Sequence, residues 1–309
     1  MPAVSVILAC HNAERFVAAA VESILTQTFG DFEFIIIDDG SRDRTGEILD
    51  GLAKRDSRIR LVCQQNKGLT ASLNEGLKLA KGEFIARMDA DDLATRDRLK
   101  IQVEFMRAHP GVSLLGGAYE MMDEAGRMLT VIRPPGDDAT LQEQALSGRT
   151  PICHPLAMMR AEAVNFVGGY KEEFIVAQDL DLWLRLGEVG QLACVPEVLL
   201  RYRQHEDSVS ERKQALQVQN MKLACERACV RRGITREFLG ENGWRPGSGR
   251  KSKHAYALRY GWWAFNSGQR KTAMIYGMKA IGAMPWKSEG WRLLVCAGVK
   301  KMKKKGNSE

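Results

Sequence analysis

No C-x-x-C pair occurs among the seven cysteines, Cys10, Cys63, Cys153, Cys194, Cys225, Cys229 and Cys296. Their odd number and scatter exclude a disulfide frame and read as reduced thiols. Cys225 and Cys229 fall on one helix face, but two thiols alone do not make a structural metal site. No run of about 18 apolar residues is present, which removes a membrane-spanning helix. The opening "MPAVSVILACHN" carries no basic stretch, and its apolar run is too short for a signal peptide. The expectation is a cytoplasmic protein that can still touch the inner face of a membrane as a peripheral partner. The chain contains neither G-x-x-x-x-G-K-[ST] nor the Gly-rich dinucleotide fingerprint, so P-loop and Rossmann chemistry fall away. A nucleic-acid-binding motif is equally missing, and nucleic acid is not expected as a partner.

What is present is ordinary globular material: 309 residues, 45% apolar and 27% charged, enough for one large domain and a small one. The net charge of +7 is split unevenly. From Glu211 onward 22 Lys and Arg face 6 Asp and Glu, a net of +16, so the first 210 residues carry 7 − 16 = −9. That asymmetry predicts two domains, 1–210 and 211–309, with different partners. The ending "VKKMKKK" suits an anionic membrane surface.

The first part alternates. "VSVILAC", "FEFIIID", "IRLVCQ" and "EFIARMD" read as buried strands, with helices around 13–28, 44–56 and 69–80 between them. The last of these places Leu69, Leu73, Leu77 and Ala80 on one face. This pitch predicts an α/β fold with a mostly parallel sheet covered by helices. "VSLLGGAYEMMDEAGRMLTVIR" predicts an antiparallel addition turning at Glu124–Arg127, "ICHPLAMMR" and "EVLLRYR" two further strands, and "QDLDLWLRLGEVG" a helix with Leu180, Trp183, Leu184 and Leu186 inward. From about Ser210 the pattern is helical, interrupted by "GENGWRPGSGRKSK", which reads as a hinge.

Ligands of open α/β sheets bind at the carboxyl ends of strands. Here those ends carry "CHN", "DDGS", "QQNKG" and "MDADD". In "ARMDADD" the carboxylates Asp89, Asp91 and Asp92 crowd four positions, and two unit charges ~4 Å apart repel by about 4 kcal/mol at an effective dielectric near 20. A metal ion, Arg and Lys, or solvent must offset this. An EF-hand is excluded, since the fifth and sixth positions are Leu93 and Ala94. Asp92 also suits a helix N-cap. "IIIDDGS" ends a second strand in paired acids, Asp38 and Asp39, which suit a donor edge such as a base N–H.

"VSVILACHN", "IIIDDGSRDRT", "NKGLTASLNEGLKLAKGEFIARMDADD", "VGGYKEEF", "QDLDLWLRL" and "RYRQHEDSVS" stand in the order found in family 2 glycosyltransferases of the GT-A fold, and over about the first 210 residues the chain resembles that family. The resemblance implies sugar transfer with inversion from a nucleotide-sugar, usually a UDP-sugar, to a saccharide or lipid-linked acceptor in bacterial surface glycan synthesis, with Mn²⁺ or Mg²⁺ as cofactor. It further implies that His11, where the family usually has Tyr, borders the base, that Asp39 bonds the uracil edge, and that Asn66 and Gly68 line the nucleotide. Asp89 would hold the ribose or a metal-bound water, Asp91 and His205 the metal, and Asp179 would be the general base. Gly168 and Gly169 would let backbone approach donor or acceptor. His154 and Trp183 are weaker acceptor-side candidates, the first beside Pro155 and the second better suited to a core than to a sugar platform.

Two positions depart from the family pattern: Ala9 replaces a usual Pro, and Gln178 stands where Glu is common, halving the acidic pair before the helix. These departures support a rival reading, a non-catalytic glycan- or nucleotide-binding module. A sugar-1-phosphate nucleotidyltransferase would want a Gly-rich, Arg-bearing loop after the first strand, which "ACHNAERF" does not supply.

Overall fold

The computed structural model describes residues 1–204, 211–240 and 249–299. The predicted alternation opens the chain: β1 (Val4–Cys10), α1 (Val17–Leu25), β2 (Phe32–Asp38), α2 (Thr45–Arg55), β3 (Ile59–Cys63), α3 (Leu69–Leu79) and β4 (Phe84–Met88). A two-residue β5 (Leu93–Ala94) and α4 (Arg98–Ala108) follow, then β6 (Val112–Asp123), β7 (Met128–Ile132) and α5 (Asp138–Leu146). Next come β8 (Met158–Arg160), α6 (Ala161–Val167), α7 (Gln178–Val189) and β9 (Gln191–Gln204). The helices α8 (Glu211–Arg232), α9 (Arg250–Asn266), α10 (Arg270–Ala283) and α11 (Ser288–Val299) complete the described chain.

The strands run in the order β3-β2-β1-β4-β8-β6-β9-β5, with β7 on β6. β2, β3 and β4 join parallel to their neighbours, and β8 starts the antiparallel addition on β4. Successive β1 residues enter different cores: Val4, Val6 and Leu8 one, Ile7 and Ala9 the other. β2 does the same with Ile35, Ile36 and Ile37, all fully buried, each worth ~1.5–3 kcal/mol. A one-residue slip would exchange the two faces, so the register is held by packing. The same register aligns the strand ends. Cys10 pairs with Asp38 and Asp38 with Cys63, so β1, β2 and β3 finish level and their loops meet.

Several predicted details change. In "ICHPLAMMR" only Met158–Arg160 is strand, because Pro155 sits in a 3-10 turn over His154–Leu156; the Pro lacks the N–H a ladder needs. Leu69 stays exposed at the start of α3, whose inner face is Thr70, Ser72, Leu73 and Gly76. The helix after "DADD" begins only at Arg98 behind Asp97, so Asp92 is no N-cap. Of the hinge segment, residues 241–248 lie outside the described residues, and α9 already starts at Arg250.

Contacts group the chain into two compact units. The first holds residues 1–119 and 133–202 together with α8; the second holds β6 from Glu120, β7 and α9 to α11. Met221, Ala224, Cys225 and Ala228 of α8 share a core with Leu180 and Leu184 of α7, so the contact boundary falls after α8 and the charge boundary near residue 210. Among the described residues no helix is long and apolar enough to cross a membrane.

Candidate active site

The level ends of β1, β2 and β3 are tied together by one carboxylate. Asp39 is 4% exposed. Its Oδ1 accepts from Lys67 N–H at 2.8 Å and Gln64 Nε2 at 2.7 Å, and its Oδ2 from Gly68 N–H at 2.8 Å. Burial pushes its pKa up, but these donors outweigh burial and hold it below the ordinary carboxylate value. Gly68 adopts φ 88° to present its N–H there, a conformation that favours glycine. Asp39's own carbonyl accepts from Asn66 Nδ2 at 3.0 Å and lies 2.9 Å from His11 Nδ1. The same His11 Nδ1 lies 3.1 Å from Asn66 Nδ2, and its Nε2 lies 3.0 Å from Asn12 Nδ2.

The structure therefore brings His11, Asp39, Asn66 and Gly68 together as predicted neighbours. Asn12 is an addition. It holds φ 52°, its N–H donates to Ser41 Oγ, and its Oδ1 accepts from Arg42 N–H. An Asn directly after a strand is a turn signal that could have been read, since Asn tolerates the left-handed region. His11, Asn12, Gly40, Arg42, Gln64, Gln65 and Asn66 line an open, polar cleft of about 770 Å³.

At the end of β4 stands the acidic rim. One oxygen each from Asp89, Asp91 and Asp92 lie within 4.8 Å of one another. Two buried guanidiniums back them. Arg87, 1% exposed, brings Nη1 to 2.6 Å from Asp89 Oδ1, while its Nε and Nη2 meet no hydrogen-bond partner. Arg98, fully buried, donates from Nη2 to the Arg87 carbonyl at 2.7 Å and from Nε to Gln102. Burial pushes the Arg98 pKa down to about 10. Burial pushes Asp89 up, Arg87 opposes this, and Asp91 adds to it. Arg87 escaped the sequence reading because a lone cation inside an apolar strand has no periodic signal.

Asp179 faces the same charges. Burial raises its pKa, the Leu180 N–H and Arg87 lower it, and Asp89 raises it again. It is the second residue of α7, whose N-cap is Ala177 in the left-handed conformation at φ 60°, so Asp179 is not the N-cap itself. Its Oδ1 accepts from Leu180 N–H at 2.9 Å. Asp181 points elsewhere: buried, it takes both Nε and Nη2 of Arg185, at 2.9 and 2.6 Å. Gln178 is buried at the first helical position.

His154 Nε2 shares a 2.8 Å hydrogen bond with Tyr170 Oη. Burial and Arg87 hold the imidazole well below its ordinary pKa, so the ring is neutral. Trp183 stacks edge-on against His154 at 5.7 Å, and its indole N–H donates to the Ile152 carbonyl. It is 0% exposed, so its ring backs His154 and offers no open face to a sugar. Gly168 and Gly169, at φ 78° and 62°, end α6. The next residue, Tyr170, is clamped by Asn74, which accepts its N–H and donates to its carbonyl. The two glycines thus deliver Tyr170 to His154. His205 lies outside the described residues.

The donor set at the rim, all carboxylate oxygen, is that of a hard divalent cation. Asp89, Asp91 and Asp92 gather here beside the buried guanidiniums of Arg87 and Arg98, and Asp179 faces the same charges.

Comparison with known proteins agrees with this architecture. Residues 5–168 match the model of Glycosyl transferase family 2. The "Putative glycosyltransferase EpsE" of Bacillus subtilis is 37% identical over 239 residues, which are 74% of this chain and 83% of that protein. Chondroitin synthase of Escherichia coli is 27% identical over 234 residues, 76% of this chain but only 34% of its own length. Among solved structures, the mannosyltransferase PcManGT from Pyrobaculum calidifontis, solved with GDP-Man and Mn²⁺, superposes with a TM-score of 0.56 at 19% identity over 96% of this chain and 80% of that one. S. aureus TarS 1-349 with UDP superposes at 0.54 and 16% identity, over 95% and 90%. At such identities the likeness speaks for the fold, which is the GT-A fold. With the family model spanning more than half of the chain and a relative above 30% identity over three quarters of it, the chain belongs to glycosyl transferase family 2.

Proposed function

We propose that this chain is an inverting, divalent-cation-dependent glycosyltransferase that moves a sugar from a nucleotide-sugar, with UDP as carrier, to a saccharide or lipid-linked acceptor of a surface glycan at the cytoplasmic face of a membrane. The observation that carries the proposal is the triad Asp89, Asp91 and Asp92, gathered within 4.8 Å at the same sheet rim as the polar cleft.

The base enters the cleft beside His11 and Asn66. Lys67, Gly68 and Gln64 fix the Asp39 carboxylate, which is the proposed contact to a base N–H. Asp91, with Asp89 beside it, would hold Mn²⁺ or Mg²⁺, and His205 is the proposed third protein ligand. Bound there, the ion would supply charge stabilisation for the departing diphosphate. Asp179 accepts the proton of the acceptor hydroxyl as it attacks the anomeric carbon from the opposite face. Burial makes it a stronger base than a surface carboxylate, which suits proton transfer near neutral pH. Neutral His154, fixed by Tyr170, and the backbone at Gly168 and Gly169 are placed on the acceptor side.

Titrating UDP against the protein by calorimetry, with and without Mn²⁺, tests this. Wild type should bind UDP at least tenfold more tightly with the ion, and Asp91→Ala should lose that difference. Equal affinities for wild type in both conditions would reject the metal assignment.

A further inference from the structure

The second unit has a surface that sugar transfer does not use. Helices α10 and α11 form a hairpin whose seam is built on glycine. A methyl at Gly277 would lie 3.2 Å from Leu294 N, and one at Gly290 would lie 3.0 Å from Ile281 N. These two facing pairs give an antiparallel register with closely apposed backbones. The inner faces are then spent: Tyr276, Gly277 and Ala280 of α10 and Gly290, Leu293 and Ala297 of α11 are buried.

A surface helix normally turns a polar face outward once its apolar stripe is buried. This hairpin turns large apolar side chains outward as well. In an antiparallel pair, the residue following each seam position rotates by roughly 100°, toward the same side on both helices. From the seam at Gly277 and Ile281 that rule selects Met278 with Met274 one turn before; from Gly290 and Leu294 it selects Trp291 and Val295. All four are exposed: Met274 39%, Met278 54%, Trp291 50% and Val295 60%. Trp286, in the connection between the helices, is 67% exposed. Large apolar side chains thus form one outward ridge.

The charge of this stretch of sequence is almost all positive. From Arg250 to Lys305 the sequence has 14 Lys and Arg and one acidic residue, Glu289. Lys271 and Lys287 are exposed beside the ridge residues, and five lysines follow Val299 within six positions. Tryptophan, aliphatic side chains and flanking cations together are the chemistry of an interfacial membrane contact, where aromatic rings sit at headgroup level and cations meet anionic lipid.

We infer that the Met274–Met278–Trp291–Val295 side of the α10–α11 hairpin, with Trp286, is a docking face for an anionic lipid surface. It deepens the proposed function, on whose lipid-linked acceptor its purpose rests, by naming the residues that enter the interface.

The test uses the full chain and two kinds of vesicle, phosphatidylcholine alone and phosphatidylcholine with one third phosphatidylglycerol. Sedimentation should show at least tenfold tighter binding to the anionic vesicles, weakening as salt rises. Tryptophan emission should shift to the blue on binding. W286A/W291A should lose most of the shift and at least tenfold in affinity, and V295E should bind as weakly, while both keep wild-type transfer to a soluble acceptor. Equal binding by wild type and W286A/W291A would overturn the inference, as would a concentration-dependent dimer abolished by V295E with no vesicle binding. Vesicle binding that depends on the tryptophans in a protein without transfer activity would uphold this face and overturn the proposed function instead.

Discussion

Two acidic clusters at the ends of neighbouring strands look alike in sequence and behave differently in the fold. Asp39, after β2, has its oxygens supplied by donors of the chain itself: Lys67 N–H, Gly68 N–H and Gln64. Asp89, Asp91 and Asp92, after β4, are backed by the buried guanidiniums of Arg87 and Arg98. The first carboxylate organises loops, and its charge is satisfied on folding. The second set brings its oxygens within 4.8 Å of one another beside buried guanidiniums. Similar spacing along the chain thus hides two different surroundings, backbone N–H donors in one case and arginine side chains in the other.

The largest effect is expected at Asp179, the rim residue proposed as the base. Asp179→Asn keeps shape but cannot take a proton, and kcat should fall ~10²–10⁴-fold with UDP affinity unchanged; turnover within tenfold of wild type would remove Asp179 as base. Arg87→Met addresses the backing charge. Removing one partner of a buried ion pair costs ~3–5 kcal/mol, so this variant should melt early in chelator. Mn²⁺ should then raise its melting temperature more than it raises that of wild type, because the added ion takes over the compensation of Asp89. An identical Mn²⁺ increment in both proteins would separate Arg87 from the metal site.

Asp39→Ala probes the satisfied cluster. It strands two backbone N–H groups and the Gln64 amide, and hydrogen bonds to a charged group are worth ~1.5–3 kcal/mol each in net terms. The expected loss, ~2–3 kcal/mol after relaxation and hydration of this loop, should show as a lower urea midpoint with or without Mn²⁺. Its pH dependence has a fixed sign. The folded pKa of Asp39 lies below 3.8, so its stabilisation is present above the unfolded value and is lost as pH falls through the folded one. The wild-type advantage over Asp39→Ala should therefore persist at neutral pH and vanish only at the acid end. The smallest effect is expected at Ala177. Its left-handed backbone, φ 60°, penalises a side chain by ~1 kcal/mol, so Ala177→Gly should leave stability unchanged or raise it by up to about 1 kcal/mol. A clear loss would show that packing of its methyl outweighs the strain.

Much of the first unit was legible because short continuous apolar runs and acidic strand ends are local signals. β1 and β2 fall on the predicted runs, and β3 and β4 differ by a residue at one or both ends. The hairpin turn at Glu124–Arg127 is likewise where the sequence puts it. What stayed hidden depends on distant partners. The spacing of Trp183 favours core over sugar platform without deciding it, and only the packing of α7 on His154 and Ile152 settles its burial. Arg87 is defined by what surrounds it across the sheet. Ending α6 at Gly168 and Gly169 serves Tyr170, a relation that requires Asn74 from α3, some 96 residues earlier.

Gly40 carries a lesson for anyone who would alter which nucleotide this enzyme accepts. With φ 75° and room for no methyl, since a Cβ would sit 2.8 Å from Asn66 N and 3.2 Å from the Gln64 carbonyl, it nests two loops so closely that this wall cannot be recontoured by substitution. Selectivity would have to be re-engineered from exposed side chains such as Gln65, since the other exposed candidate, His11, is itself tied to the Asp39 backbone carbonyl.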